Sequence, residues 1–305
     1  MSETELRNAD GLTEEEFLRQ YDAEQYRRPS LSVDVLLFTV VDGPKLNFRK
    51  LPQKELKVLM IKRGNHPFIG KWALPGGFMS VEEDLNSAAY RELKEEVNVS
   101  DIYIEQLYTW GGVHRDPRTR VISCSYMSLV DSSQLQIKAG GGAWDARWFT
   151  VDCTTEEERK TKRPDGFVFD NRVRLTLSGE EETLSAVIEN RKQVRGRKKT
   201  AQHRTVQNDG IAFDHALVIQ YGLERLRNKI EYTDIAFNLM PRYFTLTELQ
   251  QVYEVILGKE LLKANFRRKI ADQVLETDRV KKDAGHRPSK LYTFNSSWLA
   301  NSADG

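Results

Sequence analysis

Apolar and polar positions change period several times along the chain, and each change marks a predicted element. Thr13 and Glu16 have capping-box spacing, and Phe17 and Tyr21 sit four apart, predicting a short helix over 12–26 that Pro29 stops. Val33 to Val41 and Val58 to Lys62, rich in branched residues, read as strands flanking a polar loop from Asp42 to Glu55. The clearest helix of the first half covers 80–97, and strand-like runs return at 102–108, 120–130 and 144–150. From about 152 to 210 the chain is charged and poor in apolar residues, including Arg191, Lys192, Arg195, Arg197, Lys198, Lys199 and Arg204. That segment reads as a solvated insertion or extended hairpin in preference to a nucleic-acid arm. Ala212 to Leu226 predicts a second strong helix, with Leu217, Tyr221 and Leu223 among its apolar positions. Thr245 and Glu248 form another capping box, followed by Leu249, Val252, Tyr253, Ile256 and Leu257 on one stripe and by Gly258 as the stop. A basic helix over Ala264 to Val274 and two short strands near 274–277 and 290–294 complete the pattern, which holds no internal repeat. The expected organisation is a helical lead-in over 1–30, a mixed α/β domain over 31–228 and a smaller domain over 229–305.

Chemistry concentrates on the helix over 80–97. Ser80 and Glu83 are spaced to cap its start reciprocally, and Leu85, Ala88, Ala89 and Leu93 define one apolar stripe. Glu92 and Glu96 fall inside that stripe and Glu95 falls at its edge, so three carboxylates point to the side expected to be dry. Unpaired buried carboxylates are expensive unless protonated or met by a cation. Oxygen ligands of this kind favour Mg²⁺ or Mn²⁺ over zinc. The alternative is a solvated face, since Glu-rich helices are common. Gly76 and Gly77 just before the helix let main-chain atoms approach an ion closely.

Gly77, Glu83, Arg91, Glu92, Leu93, Glu95, Glu96 and Val99 stand in one fixed spacing that resembles the Nudix box. Asn98 takes the place of the last glycine of that pattern; Asn is the next most tolerant residue of a left-handed helix end. The resemblance implies an α/β/α sandwich around a mixed sheet and metal-dependent hydrolysis of a nucleoside diphosphate linked to another group. It assigns Glu92, Glu95 and Glu96, with the Gly77 carbonyl, as metal ligands, and Arg91 with Glu83 as a supporting ion pair.

Length and composition add limits. The 305 residues suggest two domains, and 46 basic against 45 acidic side chains exclude an overall polyelectrolyte. Two cysteines, Cys124 and Cys153, exclude a disulfide framework, and the longest apolar stretch is too short to span a bilayer. The acidic N-terminus, with Glu3 and Glu5, carries no hydrophobic signal segment, so a cytoplasmic protein is expected.

Between two strands, Trp110 to Arg118 contains Arg115-Asp116-Pro117-Arg118. Similar loops occur in the Nudix branch that includes ADP-ribose pyrophosphatases, and Arg115 and Arg118, with Asp116, suit a phosphate or ribose-phosphate clamp. A tight Asp-Pro turn with solvated arginines is the alternative. His114 reads as a loop residue, and Trp144 and Trp148 as packing residues. Tyr243 to Gln250, Asn265 to Lys269 and Arg287 to Tyr292 resemble the winged helix fused to Nudix domains in regulators of NAD metabolism; Tyr26-Arg27-Arg28-Pro29-Ser30 fits the same group. Arg267, Arg268 and Lys269 on a short helix, with Lys290 on a basic wing over 279–290, are the candidate DNA contacts. Residues 229–305 carry 12 basic and 10 acidic side chains, a small surplus for such a role. The leading expectation is a Mg²⁺- or Mn²⁺-dependent hydrolase that cleaves ADP-ribose, or a related ADP-sugar, to AMP and ribose 5-phosphate. The competing one is an ADP-ribose-responsive DNA-binding regulator, and the third is an enzyme clearing oxidised nucleotides. The resemblance also implies a homodimer.

Overall fold

The computed structural model describes residues 6–44, 52–100, 102–132, 135–281 and 288–298. A short helix α1 (Glu14–Gln20), capped reciprocally by Thr13 and Glu16, and a 3₁₀ turn at Ala23–Gln25 lead in. A mixed sheet follows. Its main path runs β10–β9–β8–β7–β2–β1–β6–β5, with two short strands, β3 (Trp72–Ala73) on β2 and β4 (Gly76–Phe78) on β1. The central pair is β1 (Ser30–Asp42) and β2 (Lys54–Arg63), antiparallel; β1 runs parallel to β6 (Val121–Leu129), and β5 (Glu105–Trp110) closes that edge.

Strand alternation divides the interior between the sheet's two faces. Val33, Val35 and Leu37 of β1 pack with Ala88, Ala89, Leu93 and Val97 of helix α2 (Leu85–Val97). Leu36 and Phe38 point the other way, onto Ala216, Ile219 and Leu223 of helix α3 (His215–Lys229). The result is the expected α/β/α sandwich.

The charged segment over 152–210 takes the extended-hairpin form, repeated into an antiparallel meander. Strand β7 (Ala143–Arg163) pairs with β2 through Thr150 opposite Lys57, then continues beyond it with β8 (Gly166–Ser178), β9 (Thr183–Arg195) and β10 (Lys198–Asp209). Its root is apolar: Leu175, Leu177, Leu184, Ala186 and Ile188 join the core under α3. The outer part forms an arm.

Two predicted boundaries move. The box helix begins at Leu85, because the Asp84 carboxylate accepts from Ser87 N–H and serves as N-cap in place of Ser80. The later helix starts at His215 and runs on to Lys229. Asn98 does end α2 in the left-handed region (φ 56°, ψ 39°).

The C-terminal unit holds α4 (Leu246–Leu257), α5 (Lys263–Ile270) and an antiparallel hairpin, β11 (Val274–Lys281) with β12 (Ser289–Phe294). The Thr245–Glu248 capping box forms, and Gly258 closes α4 with φ 67°. Leu249, Val252, Tyr253 and Ile256 bury the predicted stripe in the same apolar cluster that holds Leu36 and Phe38. The tip of the predicted wing, including Arg287, lies outside the described residues.

Candidate functional site

The Gly76–Gly77 strand stands between the box carboxylates and a cavity of about 140 Å³. Gly76 N–H donates to Glu96 Oε2 at 2.7 Å. A Cβ on Gly77 would meet Glu92 Oε1 at 2.3 Å, so only glycine lets that carboxylate lie against the backbone. Glu92 is buried and Glu96 half-buried, but Glu95 points outward with its side chain 57% exposed. The expectation of three inward carboxylates therefore holds for two. Glu95 sits one helical step past the stripe, where its side chain reaches water.

Arg91 is the cation that these acids share. It binds Glu83 through Nε (3.0 Å) and Nη2 (2.7 Å), and reaches Glu92 at 2.7 Å and Glu95 at 3.3 Å. Its hydrogen bonds and the Ser80 N–H hold the Glu83 carboxyl down at about 2. Burial pushes Glu92 up despite Arg91, and lifts Glu96 to about 8 against the opposing Gly76 hydrogen bond.

The donor set is all oxygen, which fits a hard dication. Among the described residues, however, no group of three His, Cys, Asp or Glu side chains converges on one point. Glu92, Glu96 and the glycine cradle are poised for an ion; Glu95 is not turned toward it.

The cavity itself is lined by Asp34, Arg63, Phe78, Arg115, Asp116, Arg118, Phe213 and His215, among others. The Arg115–Arg118 loop thus faces the glycine wall. Arg115 is buried and doubly paired, with Asp214 at 2.7 Å and Asp34 at 3.4 Å; Arg118 clasps Asp116 at 2.8 Å and lies over the Phe78 ring. Arg115 is thus withdrawn from solvent, whereas Arg118, exposed and paired with Asp116 two residues back, fits the solvated arginine of a tight turn. Trp148 packs beside the α2 core as expected, whereas Trp144, at the bulge where pairing with β2 skips from Ala143 to Asp145, is mostly exposed.

Sequence reasoning missed the long-range half of this cavity. Asp34 accepts from Ser123 Oγ and meets His215 Nε2 at 3.4 Å. Leu74 N–H donates to His215 Nδ1 at 2.9 Å, which places the ring proton on Nε2, facing Asp34. Burial would raise the Asp34 carboxyl, but His215, Arg115 and Ser123 together bring it to about 2. Arg63 donates to the Pro67 carbonyl and stacks on Phe213 at 4.9 Å, with no carboxylate ion pair among the described residues. The one advance sign was Asp34 itself, an acid inside an apolar run.

On the C-terminal unit, Arg267, Arg268 and Lys269 are exposed on α5, whose Phe266 and Ile270 are buried. Lys290 pairs with Glu276 across the hairpin, so its charge is met internally. No helix among the described residues is long and apolar enough to cross a membrane.

The NUDIX domain model matches residues 49–169, and the NrtR DNA-binding winged helix domain model matches 236–294. The chain is 31% identical to the ADPR responsive transcriptional repressor NtrR of Acinetobacter baylyi, covering 92% of this chain and 88% of the relative. It is 32% identical to the ADP-ribose pyrophosphatase of Methanocaldococcus jannaschii over 44% of this chain and 72% of that one. The crystal structure of Shewanella oneidensis NrtR complexed with a 27mer DNA superposes with a TM-score of 0.57 and 29% identity, covering 87% of this chain and 93% of that one.

Proposed function

The chain belongs to the family that joins a Nudix domain to an NrtR winged helix, and on that footing we propose that it is a DNA-binding repressor whose Nudix cavity senses ADP-ribose. The observation that carries this reading is an NrtR-type winged-helix unit joined to a Nudix cavity lined by Arg63, Arg115 and Arg118, cations suited to a diphosphate. Glu92 is held by Arg91, Glu96 by Gly76 N–H, and Glu95 faces water.

Arg63, the unpaired cation of the cavity, is positioned to meet a phosphate, and Phe78 and Phe213 offer apolar faces to a ribose or base. Arg115 and Arg118 supply further charge at one rim, each shared with an acid. On α5, Arg267, Arg268 and Lys269 are the residues to contact DNA phosphates and groove edges.

Hydrolysis is a second reading, favoured by the retention of every charged box position. A bound Mg²⁺ or Mn²⁺ would neutralise pyrophosphate charge and activate water. Glu92, Glu96 and the Gly77 carbonyl are the groups placed to hold it, with Glu95 as a third carboxylate on the same helix.

A gel shift with DNA upstream of NAD-synthesis genes tests the first reading. Retardation that ADP-ribose reverses supports it; no retardation at low salt overturns it. Incubation with ADP-ribose and Mg²⁺ tests the second, through release of AMP and ribose 5-phosphate. Glu96→Gln should abolish that release, and undiminished turnover would refute the assignment.

A further inference from the structure

The arm has two unlike faces. Residues of β7 to β10 that share the outer face form a ladder of ion pairs: Arg172 with Glu156 and Glu189, Arg174 with Glu156, Arg191 with Asp170, and Arg204 with Glu189. That face neutralises itself. The strand registers put a different set on the face that continues under α3. Lys160, Phe169, Lys192 and Ala201 lie in one row across the four strands, and Lys162, Phe167, Val194 and Lys199 in the next.

All four lysines are exposed, and none has an ion-pair partner among the described residues. Phe167 and Phe169 are half-buried beneath them, and Lys160 Nζ lies 4.8 Å from the Phe167 ring centre. The rings thus support the lysine stems and leave the ammonium groups in water. Glu158 shares this face one row from Lys160, and Glu224 of α3, like Lys192, lies near His203. Four lysines without ion pairs among the described residues still leave the sheet face net positive, which fits a polyanion with regularly spaced charge.

Its position specifies which polyanion. Strand β7 runs antiparallel to β2 and leaves the sheet at the end where β2 begins. Gln251 of α4 donates to the Pro52 carbonyl at that same end. Arm and winged helix therefore flank one end of the sheet, and the lysine face is on the α3 side, where the winged helix packs. The twelve residues from Asp152 to Arg163 span about 40 Å at strand rise, longer than one turn of duplex.

We propose that this lysine-and-phenylalanine face of the arm is a second contact surface for duplex DNA, gripping phosphates outside the winged helix's own footprint and without regard to base sequence. The inference rests on the DNA-binding reading above and extends it from one surface to two. Single-stranded nucleic acid fits less well, because Lys160 already covers one of the two rings that bases would stack on.

The test uses the full chain and fluorescence anisotropy with a duplex of about 60 base pairs of arbitrary sequence, titrated at several salt concentrations. Lys160, Lys162, Lys192 and Lys199 are changed together to Gln, and Lys160→Glu with Lys192→Glu provides a second variant. The expected result is at least a tenfold loss of affinity and a log–log salt slope shallower by about 3 to 4 for the quadruple variant. Melting temperature should match the unaltered protein. Affinity and slope equal to those of the unaltered protein overturn the proposal. So does a variant that changes sedimentation from dimer to monomer, which would make the face a contact between copies, and so does preferential binding of single-stranded DNA. An Arg267/Arg268/Lys269→Ala variant separates the two surfaces. If it loses binding while the arm variants do not, or if the unaltered protein binds upstream DNA but not the arbitrary duplex, only the arm assignment falls; if it binds neither duplex at low salt, both readings fall.

Discussion

Asp34 shows how one side chain can hold a cavity open. It lies in the central strand, surrounded by apolar neighbours, and is met by Arg115, His215 and Ser123 from three distant parts of the chain. Its carboxyl near 2, against 3.8 when free, means that its stabilising contribution is complete above about pH 4 and is lost as pH falls through 2. The loss is on the order of 2 kcal/mol, readable as an acid-side drop in melting temperature that Asp34→Asn should flatten. Arg115→Met leaves Asp34 and Asp214 without their shared cation and should cost about 3 kcal/mol or more by denaturant titration. Glu96 has the opposite sign. Burial raises its carboxyl to about 8 from 4.5, so in metal-free protein the fold weakens as pH climbs through that interval. Glu96→Gln keeps an acceptor for Gly76 N–H without the charge, and should raise the melting temperature at pH 9 in EDTA while abolishing any stabilisation by Mn²⁺.

At the scale of elements, local signals were read well from sequence and distant ones were not. The Thr245–Glu248 box, the stripe from Leu249 to Ile256 and the Gly258 stop involve neighbours within one or two turns, so spacing alone locates α4. Thr245→Ala removes the side-chain acceptor for Glu248 N–H and should lower stability by about 1 kcal/mol. The box resemblance likewise implied the pairing of Arg91 in α2 with Glu83 in the loop before it, eight residues away. Spacing misjudged Glu95 because a position at a stripe's edge is decided by what packs above it. The Asp34–Arg115–Asp214–His215 cluster was hidden, since its members meet only after strands and helix have docked. Strand β10 was hidden too: both its faces are polar, which removes the alternation that usually reveals a strand, whereas the alternating Val173, Leu175 and Leu177 of β8 were there to read.

The whole molecule has two apolar interiors, one on each side of the sheet, and the larger joins α3 to the winged helix without a break. Leu36, Leu226, Leu249 and Phe266 belong to that one cluster. Thermal unfolding is therefore expected as a single cooperative transition. Leu249→Ala should move the entire transition by about 2 to 5 kcal/mol, and a separate early melt of the C-terminal unit would contradict this picture.

Helix α2 with its acids and the winged helix lie on opposite faces of one sheet. Two polar grips connect the cavity rim to the winged helix along α3: Arg115 holds Asp214 at its head, and Arg227 near its end donates to the Ile256 carbonyl of α4. On the proposed reading, Arg227→Met, away from both surfaces, should leave each ligand bound but uncouple the two, read as a gel shift that ADP-ribose no longer reverses.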